Sequence, residues 1–463
     1  MDSQYQQLFK QLERIRGNRC RYYLGLTDNL DQVIAVDTEA LGRAAREIGV
    51  TVKHVNAPPP EVVRSTRDLV LLLLSCMQRG VGGETSILHS EVCRFVEEHF
   101  SASPSLGGTG VRAAAVAEEA GIFPTVHLSS LDAAIAGILS NRSFHGIYKD
   151  RSFPAHSATL DPAARRTQPH PHYIFQFYEG QKVTLADGEV VAARHNRLIL
   201  PRDRATSRLP LHTRFFQAFH QDAGPAVILV SGFNATDSRR RVRARVRKTV
   251  RELKQGQDRG KLIVQEMAGY RRTDLFRHVL ARLGPYTSYT SMNAEELELA
   301  ANQTQGEARF RSEHERIVEK AARVCRRYRL GNLIVHSDEL AFCLTETPVA
   351  QAEIRTALLA GNLVGATTAM SGSYHSLEER LSAGLELTEN EHGAELCGSV
   401  DGTEFEGRTV IAVPARRISG KAETLGLGDA FIGAVALFLG VVPLLRDAAP
   451  KKSDREAEEM RGL

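Results

Sequence analysis

The residues best suited to chemistry in this sequence are Gly426, Gly428 and Asp429, within Thr424-Leu425-Gly426-Leu427-Gly428-Asp429-Ala430-Phe431. They lie between a strand-like run, Val410-Ile411-Ala412-Val413-Pro414, and an apolar helical run from Ala430 to about Leu445. Glycine lets a backbone turn pass close to a ligand. A helix that starts at such a turn aims its free N–H groups and its positive dipole end into it. An anion such as a phosphate is the natural occupant. Asp429 stands at the mouth of this anion hole, where a carboxylate can take a proton from an attacking hydroxyl. The chemistry implied is phosphoryl transfer to an alcohol. The plainer reading is a helix cap, because Asp caps helices well, and three residues alone do not decide between the two.

The elements that must position these groups follow from the patterning. Residues 4–16 have helical spacing, and Tyr22-Tyr23-Leu24-Gly25-Leu26 reads as a buried strand ending in a polar turn, Thr27 to Asp31. Asp68 to Arg79 is an apolar helix stopped by Gly80. Gly107-Gly108-Thr109-Gly110 opens an alanine-rich helix running to Ala120. That glycine turn serves either close ligand approach or tight helix packing. His172 leads a strand, Tyr173 to Phe177, where a lone histidine usually has a structural role. Residues 140–168 read as a basic loop carrying Lys149, Arg151, Arg165 and Arg166.

From about residue 190 strands and helices alternate regularly, with strands at Ala226–Phe233, Lys261–Gln265 (Glu266 at its end) and Asn332–His336. Such alternation predicts a mostly parallel sheet covered on both faces. In such sheets ligands are met at the carboxyl ends of the strands. The arginine-rich helix, Arg239 to Arg251, has no interleaved aromatic residues and reads as a solvated face rather than a nucleic-acid surface.

The bulk numbers bound the answer. The chain has 463 residues, a formal net charge of +4 and 25% charged residues, which suits a soluble protein that binds anionic metabolites. The six cysteines are scattered, with no Cys-x-x-Cys pair, and read as reduced thiols. The N-terminus carries no apolar signal core, and the longest apolar runs fall short of the ~18 residues that span a bilayer. No membrane and no nucleic-acid partner is expected, and the location reads as cytoplasmic.

Taken in order, these stretches resemble the ADP-dependent glucokinase and phosphofructokinase family of the ribokinase-like superfamily, over nearly the whole chain. Thr424 to Asp429 is similar to the family's Thr-Val-Gly-Leu-Gly-Asp segment, which implies Asp429 as catalytic base and Gly426 and Gly428 as the anion hole. Asn293-Ala294-Glu295-Glu296 resembles the Asn-x-x-Glu magnesium motif, which implies that Glu296 serves the metal, with Glu266 and Asp429. Asn29 and Asp31 match an Asn-x-Asp sugar-binding turn, and Gly80 with Glu84 matches a Gly-x-x-x-Glu segment of the same pocket. Gly108, Thr109 and His172 fall on further sugar-pocket segments, and Arg197 on an Ala-Asn-Arg segment beside the nucleotide phosphates. Asn293, His336, Val413 and Gly428 are implied around the nucleotide. The sequence departs from the family at Val264, Gln176, Thr109 and Ser291.

The resemblance implies an α/β fold, a ribokinase-like αβα sandwich with a smaller lid of inserted segments. The lid is expected at about 30–85 and 130–190, and the large domain at about 1–29, 86–129 and 191–446. A flexible tail is expected over 447–463. The implied reaction moves the β-phosphate of ADP to a sugar hydroxyl, with Mg²⁺, in a monomer or small homo-oligomer. Glucose is the expected acceptor, favoured by Glu84; the alternatives are fructose 6-phosphate, favoured by Lys149, Arg151, Arg165 and Arg166, and another sugar-like alcohol. A non-catalytic relative that senses sugar or nucleotide is the alternative of another class.

Overall fold

The computed structural model describes residues 3–17, 19–202, 205–301, 313–346, 350–370, 372, 374–418 and 425–442. The expected tail over 447–463 lies outside the described residues, as does Thr424.

Eleven strands form one sheet, in the order Glu404–Phe405, Arg408–Pro414, Leu340–Thr345, Asn332–His336, Tyr289–Asn293, Leu262–Glu266, Ala226–Val230, Arg21–Leu24, Thr125–His127, His145–Tyr148 and Arg151–Pro154. The run from Asn332–His336 to His145–Tyr148 is parallel, and both edges are antiparallel. Central strands such as Ala226–Val230 are buried along their whole length, as a parallel sheet with two covered faces requires. One face packs against helices Ser3–Gly17, Thr109–Glu119, Gln351–Ala369 and Leu427–Leu439. The other packs against Thr213–Gln221, Arg239–Gln257, Thr273–Leu283 and Glu313–Tyr328.

A second sheet of five strands has the order Gly83–Glu84, Asn196–Leu200, His172–Phe177, Asn29–Ala35 and Ser103–Gly107. Its sequence period of two sorts its faces. Tyr173, Phe175, Phe177, Leu198 and Leu200 enter a core with helices Thr38–Glu47, Thr66–Arg79 and Ser90–His99. The alternate residues His172, Ile174 and Ile199 face a cleft toward the large sheet.

The sheet memberships differ from the expected segment boundaries. Strands within 145–154 belong to the large sheet, whereas 103–107 and 196–200 belong to the small one. The basic stretch 140–168, expected as loop, holds the hairpin His145–Tyr148 and Arg151–Pro154 and a short helix, Pro162–Arg166. Lys149 and Asp150 turn this hairpin with φ of 47° and 59°, the left-handed pair that a tight hairpin turn demands. A polar sheet edge hides strand periodicity, because edges carry charge to discourage pairing. Asn29 and Asp31, expected in a turn, begin the strand Asn29–Ala35 instead.

Helix Leu427–Leu439 starts where the glycines predict and is buried from Ala430 onward. Gly433 lies against Ala113 and Gly361 against Phe431, where a Cβ would meet either neighbour at 2.7 Å. These close approaches fix the helix between Thr109–Glu119 and Gln351–Ala369. Truncating Phe438, which is fully buried, to alanine costs about 3–5 kcal/mol. The helix N-terminus is therefore a rigid mount for whatever it faces.

Candidate active site

The strand ends of the large sheet converge on this helix N-terminus. Asn293 lies opposite His336 in register, and Glu266 opposite Ser291. In the small sheet Asp31 lies opposite His172 and Asn29 opposite Gly107. The carboxyl ends of the parallel strands and the uncovered face of the small sheet thus look at each other.

Three cavities join along this seam. The first, of about 720 Å³, is polar, and Asn29, Asp31, Glu84, Thr109, His172 and Asp429 are among its lining residues. The second, of about 510 Å³, is more apolar, and Asn293, His336, Asn362, Arg416, Gly428 and Phe431 are among its lining residues. A passage of about 610 Å³ connects them, past Glu84, Arg197, Asn293, Glu296 and His336. Gly428 faces one chamber and Asp429 the other. The first turn of helix Leu427–Leu439 stands between them with its amide groups free of intrahelical partners. Gly426 caps the helix at φ +73°, in the left-handed region that favours glycine.

On the polar side Asp429 accepts a hydrogen bond from Thr109 Oγ1 at 2.7 Å. It also lies 3.6 Å from Arg112 Nε. Arg112 Nη2 donates to Asp31 at 3.1 Å. Asn29 donates to Asp31 as well, and His172 Nδ1 stands 3.9 Å away. Asp31 is buried, which pushes its pKa above the usual carboxylate range against the pull of Arg112 and His172. Glu84 keeps an exposed carboxylate in the open cleft. Desolvation by the cleft walls raises its pKa, opposed by His172 and Arg271.

In the passage Glu296 and Asn293 form a reciprocal cap at the start of helix Ala294–Ala301. The Asn293 amide donates to Glu296 Oε2 at 3.0 Å, and the Glu296 amide donates to Asn293 Oδ1 at 2.8 Å. The Asn-x-x-Glu spacing is therefore a capping box first. Burial, and then the neighbouring Glu266 charge, push the Glu296 pKa to about 7. Glu266 meets His336 Nε2 at 3.4 Å with one oxygen. Its other oxygen, Oε2, is buried without a hydrogen-bond partner. Burial pulls the His336 pKa down, but Glu266, Glu296 and Asp429 outweigh it and hold it above the usual histidine value. His336 also packs on the Phe431 ring at 4.6 Å. Burial lowers the Arg197 pKa, and Asp429 opposes that most strongly.

Two facing carboxylates with an orphaned buried oxygen fit a hydrated divalent cation. No group of three His, Cys, Asp or Glu side chains stands ready as direct ligands among the described residues. A cation here would be held partly through water, as magnesium prefers. Asp429, expected to share in metal binding, is drawn to Thr109 and Arg112 instead.

Most of the expected site residues line the three joined cavities, and Gly426 caps the helix between them. Val413 and Glu266 are the exceptions: Glu266 lines none of the three and meets the passage through His336. Val413 is buried in the core, and its carbonyl accepts from Asn362 of the apolar chamber at 3.3 Å. Lys149, Arg151, Arg165 and Arg166 do not line the polar cleft. Arg151 instead pairs with Asp161 at 2.7 Å. The cations that do line it are Arg112, Arg202 and Arg271, with His89 and His172. Sequence reasoning missed Arg112, although it stands three residues after Thr109, on the same face of one helix. It also missed Asn362, Asn390 and Arg416 of the apolar chamber.

A parallel αβα unit with a ligand seam at its strand ends, facing a smaller sheet, defines a ribokinase-like fold. The conserved region of ADP-specific phosphofructokinases and glucokinases matches residues 21–439. The chain belongs to that family of ADP-dependent sugar kinases. No curated protein matches the chain. Among solved structures, it is similar to a hypothetical ADP-dependent phosphofructokinase from Pyrococcus horikoshii OT3, at 16% identity and TM-score 0.70, covering 92% of this chain and 99% of that one. A reconstructed last common ancestor of Methanosarcinales ADP-dependent phosphofructokinases gives 17% identity and TM-score 0.70, covering 94% and 97%. An ADP-dependent kinase in complex with fructose-6-phosphate and ADPβS gives 17% and 0.73, covering 95% and 99%. No helix among the described residues is long and apolar enough to cross a membrane.

Proposed function

We propose that this chain transfers the β-phosphoryl group of ADP to a hydroxyl of a neutral hexose such as glucose, giving AMP and the sugar phosphate. The observation that carries this is the helix N-terminus standing between two chambers, with Gly428 on the apolar side and Asp429 on the polar side. The apolar chamber takes the nucleoside. The phosphates run along the passage toward Arg197 and the helix amides. The acceptor lies against Asn29, Asp31, Glu84 and His172, which offer acceptors and donors to hydroxyl groups.

Asp429 takes the hydroxyl proton as the oxygen attacks. The helix amides meet the charge that develops on the transferred group, where fixed dipoles act without reorganisation. Glu296 and Glu266 are the residues that would hold magnesium. When bound, that ion supplies positive charge against the phosphates. The small sheet acts as a lid whose closure excludes water, so that hydrolysis does not compete with transfer.

A sugar phosphate is the second reading. Arg202 and Arg271 line the acceptor cleft, and a relative of this fold is described with fructose-6-phosphate. Glu84 in the same cleft favours a neutral sugar. The test is AMP and sugar phosphate formation from ADP or ATP with magnesium, crossed with glucose, fructose 6-phosphate and no acceptor. AMP with glucose 6-phosphate supports the first reading. AMP with fructose 1,6-bisphosphate moves the assignment to the second. Absence of AMP in every combination overturns both.

A further inference from the structure

Arg112 is the cation closest to the reacting groups, and nothing so far gives it a role. It lies on helix Thr109–Glu119, at the inner edge of the polar cleft, and its side chain is only 18% exposed. Its guanidinium is used on three sides. Nη2 donates to Asp31 at 3.1 Å, and Nε stands 3.6 Å from Asp429. The third nitrogen, Nη1, faces Gly426, the first residue of the anion hole. A Cβ on Gly426 would stand 2.7 Å from Arg112 Cζ and closer still to Nη1. Only glycine permits both the φ of +73° and this approach. Nη1 has no protein partner among the described residues.

Arg197 feels the same carboxylate, and the neighbouring Arg112 charge disfavours its own. Two half-buried cations beside one base are a costly arrangement unless an anion comes between them. A planar guanidinium with a fixed fork of donors can hold two carboxylates and present a free N–H to a phosphoryl oxygen at once, which a lysine cannot do.

We infer that Arg112 is a catalytic residue of this chain: its Nη1 completes the anion hole and contacts the phosphoryl group in flight, while Nε and Nη2 hold Asp429 and Asp31 in place. The acceptor oxygen forms its bond to the β-phosphorus as the bridging bond to the α-phosphate breaks. AMP leaves with that electron pair, and the hydroxyl proton passes to Asp429. Arg112 neither gains nor loses a proton. Its charge counts most when the three equatorial oxygens carry the most charge, so its effect falls on kcat.

The inference rests on the kinase reading, and the test separates the two. Arg112→Met, Arg112→Lys and Arg112→Ala are checked for fold by circular dichroism and melting. Kinetics with the acceptor that wild type uses then give kcat and both KM values. Arg112→Met is expected to lower kcat about 100-fold, with KM for ADP and acceptor within about fivefold. Arg112→Lys recovers part of the loss, and added methylguanidinium restores part of the activity of Arg112→Ala. A kcat for Arg112→Met within about threefold of wild type, or a loss confined to KM, overturns the role. If wild type makes no AMP with any acceptor, the kinase reading falls. Arg112 is then judged by calorimetry with inorganic phosphate. Binding about tenfold weaker in Arg112→Met than in wild type supports Nη1 in the anion hole, and equal binding removes it.

Discussion

Two pairs of carboxylates flank the same helix N-terminus, and they are kept in opposite ways. Asp31 and Asp429 are each bound by arginine and by neutral donors, so both charges are answered by the protein. Glu266 and Glu296 feel one another's charge and neither pairs with an arginine or lysine among the described residues: His336 meets Glu266, the Asn293 amide meets Glu296, and one Glu266 oxygen has no partner. A carboxylate whose charge is already met can receive a proton without upsetting its surroundings. A pair whose charge is unmet is incomplete until a cation arrives. In the proposed reaction the first pair would serve the proton and the second the cation.

The largest expected effect breaks the first pair. Asp429→Ala removes the base and should lower sugar-phosphate formation by about 10³-fold, within the range that general-base catalysis supplies. ADP affinity, measured by calorimetry, should stay within a few-fold, because backbone amides make the anion hole. Turnover near wild type would show that another group takes the proton.

The second pair is tested by its need for a cation. Glu296→Gln keeps the cap at Asn293 but removes one charge. The magnesium concentration for half-maximal rate should rise about tenfold, the lower end of what supporting metal contacts contribute. An unchanged requirement would leave Glu296 as a helix cap alone.

The same pair has a pH signature. Glu296 titrates near 7 in the folded chain, against about 4.3 when unfolded. Between those values the folded state binds the extra proton, so stability falls as pH rises through the window and levels off above 7. The full effect is about 4 kcal/mol at most. Melting of the magnesium-free protein should therefore shift up by a few degrees between pH 8 and pH 5.5 relative to Glu296→Gln. Added magnesium should stabilise wild type at pH 8 more than at pH 5.5. Equal shifts in wild type and Glu296→Gln would place the titration elsewhere.

This comparison also marks what the sequence could disclose. The parallel strands were legible because they are short apolar runs set between amphipathic helices. Gly426, Gly428 and Asp429 were legible as a helix start, because a glycine turn precedes an apolar helical run, while their reading as anion hole and base leaned on the resemblance. The Glu266–Glu296 pair needed the resemblance, since one residue ends a strand and the other opens the helix after the neighbouring strand, and they meet only through strand order. Arg112 was hidden in an alanine-rich helix, where one arginine normally reads as surface. Its signal was the i, i+3 spacing from Thr109. The hairpin around Lys149 and Asp150 was masked by its charge, and with it the true extent of the large sheet. Val413 shows the converse error: a residue at a motif's edge was carried to the nucleotide, while its side chain belongs to the core.

The smallest expected effect sharpens the choice of acceptor. Glu84 lies in the polar cleft between His172 and Arg271, on the first strand of the small sheet. It is exposed while the cleft is open, so closure over a ligand must either hydrogen-bond its charge or bury it unpaired. A sugar hydroxyl satisfies it, and a phosphate placed beside it is repelled at several ångströms. Glu84→Ala should then raise KM for a neutral hexose about tenfold, the worth of one hydrogen bond to a charged group. KM for a hexose phosphate should be unchanged or lower in the same variant. The opposite order would mean that Glu84 serves Arg271, holding that cation ready for an acceptor phosphate, and the neutral-sugar assignment would give way to the sugar-phosphate one.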